Sequence, residues 1–193
     1  MTQTIAYLPA TAALQTPSPL SPRARRALSQ AVARLEHAQA CGRPWALAEA
    51  YRQTAGCYLK LGAWGQAVAM IEHGLRWAHA GGGTDQQLDM ACELVEALSL
   101  QAAVLDAEQQ GSGRATRERA RDLVCDASQL ARRAADTRWE VTVLLRLSDV
   151  LDRFGDRDDA TQLQVRALEL TLASELSPRA LSADDAQPRR LAH

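Results

Sequence analysis

The sequence has few aromatic residues, a single lysine and no long apolar run. Aromatic residues make up 4% of the 193 residues, and Lys60 is the only lysine. Acidic and basic residues number 23 and 22, so no excess of positive charge is available to attract nucleic acid or an anionic membrane surface. No stretch of about 18 apolar residues occurs, which argues against a membrane span. These absences favour a protein or a small molecule as the partner.

Motifs for metal binding, redox chemistry and secretion are also missing. Cys41, Cys57, Cys92 and Cys125 lie far apart, with no C-x-x-C pair and no histidine at metal-ligand spacing. The N-terminal residues have no positively charged start before their short apolar stretch, so they do not resemble a secretory signal. We therefore expect a reduced, cytoplasmic protein without a cofactor or a metal. The composition, rich in arginine and alanine, is typical of a bacterial source.

Proline and small polar residues dominate both ends of the chain. Prolines stand among Thr and Ser in residues 1–20, and residues 174–193 carry two more prolines, two adjacent aspartates and few large apolar groups. Such segments have little to bury and cannot sustain a helix. We predict flexible tails over these two ranges and one folded domain over residues 21–173.

Between the tails, apolar residues recur at every third or fourth position and never alternate over a strand-length run. This pattern predicts an all-α domain. Ser21, followed by proline, marks the start of the first helix, whose predicted buried stripe is Leu28, Val32 and Leu35. Further starts and stops predict about seven helices. Their short loops require neighbouring helices to pack antiparallel.

Helix starts and stops inside the domain are predicted from capping signals. Thr84 with Gln87, and Thr137 with Glu140, each have the spacing of a capping box, in which two side chains satisfy free N–H groups at a helix start. Glycines at positions 42, 62 and 155 predict helix ends, because glycine adopts the left-handed conformation that terminates a helix.

Two segments fit a helix-turn-helix repeat of roughly 34 residues. Residues 48–79 place Tyr51 at the first aromatic position and Ala67 at the most characteristic small position, and residues 141–172 place Ala160 at the equivalent small position. The segments resemble the tetratricopeptide repeat (TPR) family. The resemblance implies a short right-handed solenoid of antiparallel helix-turn-helix repeats. Residues 84–136 are interpreted as a degenerate repeat whose register the pattern does not fix.

In the tetratricopeptide family the first helix of each repeat lines a concave ligand-binding groove, and the resemblance implies such a groove here. Arg52, Lys60 and Arg146 would contact an acidic or C-terminal group, with Leu59 and Leu145 giving apolar contact. The predicted groove residues are Glu49, Arg52, Gln53, Leu59 and Lys60 from the first segment and Thr142, Leu145, Arg146, Asp149 and Arg153 from the last.

Chemistry-bearing residues elsewhere form no catalytic set. Cys57 falls at a packing position, with no histidine placed to activate it. The glycines at 81–83 are not followed by the lysine and hydroxyl residue of a phosphate-binding loop. The arginines over residues 114–121 are interleaved with acidic residues at spacings that allow pairing within one helix. We interpret them as a solvated helix face and not as a nucleic-acid site.

The sequence therefore predicts a non-catalytic adaptor or sensory module that binds a protein or peptide in bacterial regulation or assembly. The alternative is a chaperone-like protein that shields an apolar segment of a secreted or assembling client, which Leu59 and Leu145 would favour. Neither nucleic acid nor a membrane is expected as a partner. The pattern leaves the choice between a monomer and a homodimer open and does not identify the partner.

Overall fold

The computed structural model describes residues 21–108, 113–134 and 136–176, and these residues form seven α-helices and no strand. The all-α prediction is confirmed. The predicted N-terminal tail lies outside the described residues, and so does most of the C-terminal one, since the last helix ends at Leu176 and not at residue 173. The helices are α1 (Pro22–Cys41), α2 (Pro44–Lys60), α3 (Trp64–Gly81), α4 (Thr84–Ala107), α5 (Gly113–Arg133), α6 (Thr137–Phe154) and α7 (Arg157–Leu176).

The ends of several helices follow directly from local chemistry. The side-chain oxygen of Ser21 accepts a hydrogen bond from the backbone N–H of Ala24 at 3.1 Å, which satisfies a free donor at the start of α1. Gly42, Gly62 and Gly155 follow α1, α2 and α6 with φ angles of 66°, 69° and 81°. Side chains rarely tolerate these left-handed conformations, so glycine ends the helices as predicted.

The predicted capping box of α4 is wrong. The N-cap residue is Gly83, with no side-chain cap, and Thr84 is already helical. The Gln87 side chain donates instead to the carbonyl oxygens of Ala78 and Gly82, at 3.3 and 3.4 Å. It therefore adds a second donor to the Ala78 carbonyl, which already accepts the Gly82 backbone N–H at 2.7 Å, and joins the end of α3 to α4.

The predicted capping box of α6 is wrong as well, because a better cap stands one residue earlier. The Asp136 carboxylate accepts two backbone N–H groups of the first turn, at 3.0 and 3.1 Å. Thr137 lies inside the helix. The Glu140 side chain points away from the cap: the residue is 8% exposed, and its carboxylate lies 3.8 Å from the Arg166 guanidinium of α7.

The buried stripe of α1 differs from the prediction. Val32 is 37% exposed, whereas Ala31 and Ala38 are buried, and Leu28 and Leu35 are partly buried. Among the described helices α1 packs against α2 alone. One neighbour buries only a narrow stripe, and small residues form its centre.

The seven helices pack consecutively, as in an all-α helical repeat. Three hairpins, α2–α3, α4–α5 and α6–α7, are joined where α3 packs against α4 and α5 packs against α6. In addition, the backbones of α2 and α4 and of α4 and α6 contact each other, while the backbones of α3, α5 and α7 do not approach one another in the described structure, although the Arg119 side chain of α5 reaches Glu72 of α3. The first helices of the hairpins are thus close together and the second helices are apart. The array therefore curves toward α2, α4 and α6, whose free side we call the inner surface.

Helix α4 lies at the centre of the array and is buried on two sides. Its Leu88 and Val95 belong to a core cluster with residues of α5, α6 and α7, whereas Met90 and Leu94 belong to a cluster with residues of α2 and α3. A helix buried in this way has no single apolar stripe. This explains why the sequence pattern did not fix the register of the middle segment.

Small residues occupy the helix crossings. A Cβ atom added to Gly74 of α3 would lie 3.0 Å from the Tyr51 Cβ of α2 and would overlap the Met90 side chain of α4. A larger residue would push these helices apart. The two predicted small positions, Ala67 and Ala160, are fully buried, and three further small residues of the hairpins are at most 2% exposed: Ala55, Ser148 and Ala167.

Candidate functional site

A row of carboxylates runs along the inner side of α4. Its members are spaced by three or four residues, so they share one helix face. None of them is fully buried, and arginines from both neighbouring helices reach the row. The members of this acidic row are Asp85, Asp89, Glu93 and Glu96.

Arg52 of α2 is held by two carboxylates of the protein itself. Its Nε and Nη2 donate to the two oxygens of Glu49, both at 2.8 Å, and its Nη1 donates to Glu93 at 3.2 Å. A guanidinium has five N–H groups, and three of them are used here. The hydrogen bonds with Glu49 raise the pKa of Arg52 above its usual value, so its charge is fixed.

Arg146 of α6 approaches the acidic row from the opposite side. Its Nε donates to Glu96 at 2.9 Å, and its Nη1 donates to Asp89 at 3.5 Å. Burial works to lower the pKa of Arg146, but the hydrogen bond with Glu96 and the neighbouring charges outweigh it, and the pKa is raised. The two arginines therefore join α4 to α2 and to α6 across the inner surface.

At the centre of the inner surface, carboxylates outnumber the guanidinium groups that pair with them. Glu49, Asp89, Glu93 and Glu96 pair with Arg52 and Arg146, and the charge of Asp85 acts on Asp89. Burial raises the pKa of Asp89 and of Glu93 in spite of the attraction of both arginines. A raised carboxyl pKa means that the charged form is not fully compensated by its surroundings. The centre of the inner surface is thus acidic.

A cavity of about 380 Å³ extends the acidic row toward the start of α6. The indole Nε1 of Trp139, on this wall, is buried without a hydrogen-bond partner among the described residues. Polar and charged groups of both helices surround the cavity, which gives it room for a side chain or a short segment of a ligand. Its lining residues are Asp85, Asp89, Asp136, Arg138, Trp139 and Thr142.

Large apolar side chains are exposed at the margins of the acidic row. Leu100, one turn beyond Glu96 on α4, is 38% exposed, and Leu145 of α6 is 46% exposed. Trp45, at the start of α2, is 54% exposed, and its carbonyl oxygen accepts a hydrogen bond from the Gln86 side chain of α4 at 3.0 Å. The inner surface therefore offers both charge and apolar contact.

The structure places the predicted groove residues in different situations. Arg52 and Arg146 lie on the inner surface but are paired, and Glu49 is the main partner of Arg52. Leu59 is partly buried against the core cluster between α2 and α4, whereas Leu145 is exposed. The remaining predicted residues are all exposed: Gln53, Lys60, Thr142, Asp149 and Arg153.

The sequence alone did not indicate that carboxylates of α4 belong to the candidate site. The acidic row carries a signal of its own, namely carboxylates recurring every three or four positions in an otherwise apolar helix. Without the register of this helix, the carboxylates could not be assigned to the same surface as Arg52 and Arg146.

The arginines of α5 are neutralised, but mostly between helices. Only Arg114 pairs within α5, with Glu118 at 2.9 Å. The prediction of pairing within the helix is therefore wrong for the other three, which hold α5 against its neighbours. Arg117 pairs with Asp106, Arg119 with Glu72 and Arg121 with Asp156.

Other chemistry-bearing side chains serve packing. Burial raises the pKa of the Cys92 thiol to about 12, which keeps it protonated at neutral pH. His73 stacks on Tyr51, with ring centroids 5.5 Å apart, and burial lowers the pKa of its imidazole.

Across residues 21–108, 113–134 and 136–176, no three His, Cys, Asp or Glu side chains are arranged to hold a metal ion. None of the described helices has both the length and the apolar character of a membrane span.

The fold and the site define an all-α protein of consecutively packed helices with a polar inner surface. No protein-family model matches this chain, and no curated protein matches its sequence.

Proposed function

We propose that the protein is a non-catalytic binding module of the tetratricopeptide type, which holds a peptide segment of another protein on its inner surface. It would act as an adaptor or sensory module in bacterial regulation or assembly. The observation that carries the proposal is the contact pattern of the helices. The backbones of α2, α4 and α6 contact in series while those of α3, α5 and α7 stay apart, which favours a concave surface lined by the three first helices.

The side chains of this surface suit an extended peptide. Such a peptide presents unpaired backbone N–H and C=O groups at every residue. The exposed side chain of Gln53 donates one N–H to Glu49 and can offer its second N–H and its carbonyl oxygen to this backbone, while the Thr142 hydroxyl, which donates to the Arg138 carbonyl, can accept from it. Leu100 and Leu145 offer apolar contact between the polar positions. The ion pairs among the inner helices hold the recognition surface in one arrangement, which lowers the entropic cost of binding.

Peptides selected from a displayed random library test the proposal. An inner-surface variant, Gln53→Ala with Leu145→Ala, should bind the selected peptides at least tenfold more weakly than wild type, about 1.4 kcal/mol. The matched control is Gln164→Ala with Leu168→Ala, two exposed residues of α7. If the control loses affinity and the inner-surface variant does not, the peptides bind elsewhere and the proposal fails.

A chaperone-like role is the second candidate, favoured by the exposure of Trp45, Leu100 and Leu145. It predicts that the protein suppresses aggregation of a heat-denatured reporter enzyme and that Leu100→Ser with Leu145→Ser abolishes this effect. An adaptor should instead leave aggregation unchanged and select peptides of a defined sequence.

A further inference from the structure

The arginines of the inner surface are poorly available to an acidic ligand. A ligand carboxylate at Arg52 would have to displace a two-armed pair with Glu49, in which both distances are 2.8 Å. At Arg146 it would compete with two carboxylates of α4. Two-armed pairs of this kind are among the strongest hydrogen bonds of proteins. We therefore no longer expect Arg52 and Arg146 to bind an acidic group of the ligand.

The carboxylates of the acidic row, by contrast, have hydrogen-bond acceptor positions that the arginines do not use. An ionised carboxylate has about four acceptor positions. The interactions of Asp89 and Glu93 are single contacts with one arginine each, at 3.5 and 3.2 Å. Asp85 is exposed and forms no ion pair with any described residue. A ligand cation can therefore bind these oxygens without breaking the existing pairs.

The spacing along α4 also matches an extended chain. Residues four apart on a helix are separated by about 6 Å along its axis. Alternate residues of an extended peptide, whose side chains point to the same side, are about 6.6 Å apart. Asp85, Asp89 and Glu93 follow one another at this helical spacing. One turn beyond Glu96, the exposed Leu100 ends the row with an apolar contact.

We infer that the ligand of the inner surface is a basic, extended peptide with arginine or lysine at alternate positions, which pair with the acidic row, and an apolar residue at the Leu100 end. This inference rests on the proposed function and specifies the chemistry of its ligand. The uncompensated charge of Asp89 and Glu93, whose pKa values are raised, supports it.

Three fluorescein-labelled peptides test the charge and the spacing. The first has arginine at alternate positions and a terminal leucine, the second has the same composition with its arginines in one block, and the third has glutamate in place of arginine. The alternating basic peptide should bind at least tenfold more tightly than the acidic one, and measurably more tightly than the block peptide. Its affinity should fall as salt is raised, because salt screens charge pairs.

Variants locate the binding. Asp89→Asn with Glu93→Gln should weaken binding of the alternating peptide at least tenfold. The matched control, Asp122→Asn with Asp126→Asn, makes the same change of charge at two exposed positions of α5 and should leave binding within twofold. If both double variants lose equally, the peptide responds to net charge alone and the inference is wrong. Asp85→Asn is a second inner-surface variant. Asp85 is exposed, so its replacement should leave the fold unchanged.

The outcomes separate this inference from the proposed function. Library peptides that depend on Gln53 and Leu145 but carry acidic residues would overturn the basic ligand and leave the peptide-binding groove standing. Loss of all dependence on the inner surface would overturn both.

Discussion

Gly56 and Gly74 lie inside helices, but their surroundings differ. A Cβ at Gly56 would meet nothing within 4 Å, whereas one at Gly74 would crowd Tyr51 and Met90. Gly56→Ala should raise the free energy of unfolding by about 0.5–1 kcal/mol, because alanine loses less backbone entropy on folding. Gly74→Ala should lower it by about 1–3 kcal/mol through overpacking. Urea unfolding measures both, and effects of the same sign would contradict the assigned helix crossing.

We expect ionisation of the Glu93 carboxyl to make the folded state less stable than it is with that carboxyl protonated. Burial raises the pKa of Glu93, and the attraction of Arg52 and Arg146 does not cancel the effect. The folded state thus binds the proton more tightly than the unfolded state, so stability falls as the pH rises through the ordinary carboxyl pKa and the raised folded-state value. Stability is recovered when the pH falls below both values.

We therefore expect Glu93→Gln to have a melting temperature at about pH 7 no lower than that of wild type. The difference should shrink as the pH approaches about 4, near the ordinary carboxyl pKa, because the wild-type carboxyl is then protonated. Thermal scans between these limits provide the measurement. A variant that is less stable at neutral pH and recovers on acidification would show that the carboxylate stabilises the fold.

At the scale of the helix, the start of α6 gives a direct test of the corrected cap. Asp136→Ala removes the carboxylate that accepts two backbone N–H groups and should cost about 1 kcal/mol. Thr137→Ala changes a residue whose side chain does not cap α6 and should be nearly neutral. Thermal unfolding of the two variants compares them. A larger loss for Thr137→Ala would restore the capping box predicted from the sequence.

Helix existence and most helix ends could be predicted, because they depend on residues close in sequence. Ser21, Gly62 and Gly155 act on their own turns and marked these boundaries correctly. The capping boxes failed because the Thr-x-x-Glu and Thr-x-x-Gln spacings occur inside helices as well as at their starts. Asp136, one residue earlier than Thr137, is the cap that forms.

The sequence predicted only those parts of the candidate site that belong to α2 and α6, the helices on either side of α4. The pairs that set its charge join Arg52 to Glu93 and Arg146 to Asp89, which are far apart in sequence. No local rule connects such residues. The doubly buried α4 lacks the single stripe that would have shown which of its residues face the groove.

At the scale of the whole molecule, α4 connects the two halves of the core. Ten of its residues are buried, more than in any other described helix. Leu123 and Phe154 pack against both large clusters, so the two clusters share side chains as well as a helix. Loss of packing on one side of α4 should therefore weaken the other.

Backbone amides should exchange more slowly in helices that pack against more neighbours. Backbone amides in the middle of α4 should exchange most slowly, because their opening requires loss of both clusters. Amides of α1 and α7 should exchange fastest among the described helices, since each packs against a single neighbour. Mass spectrometry of exchanged peptides measures the gradient. Protection of α1 or α7 equal to that of α4 would contradict the stacking order described for the array.

The ion pairs of the inner surface also set the mechanical behaviour of the array. Arg52 and Arg146 tie the central hairpin to its two neighbours on the inner surface, while on the opposite side the backbones of the described second helices are apart and Arg119 of α5 pairs with Glu72 of α3. Bending that opens the groove stretches these ties, and the space between the backbones of the outer helices leaves room for it. The ties are electrostatic, so their stiffness falls with ionic strength. We therefore expect the curvature of the array to respond to salt and to a cation that competes for Glu93 or Glu96.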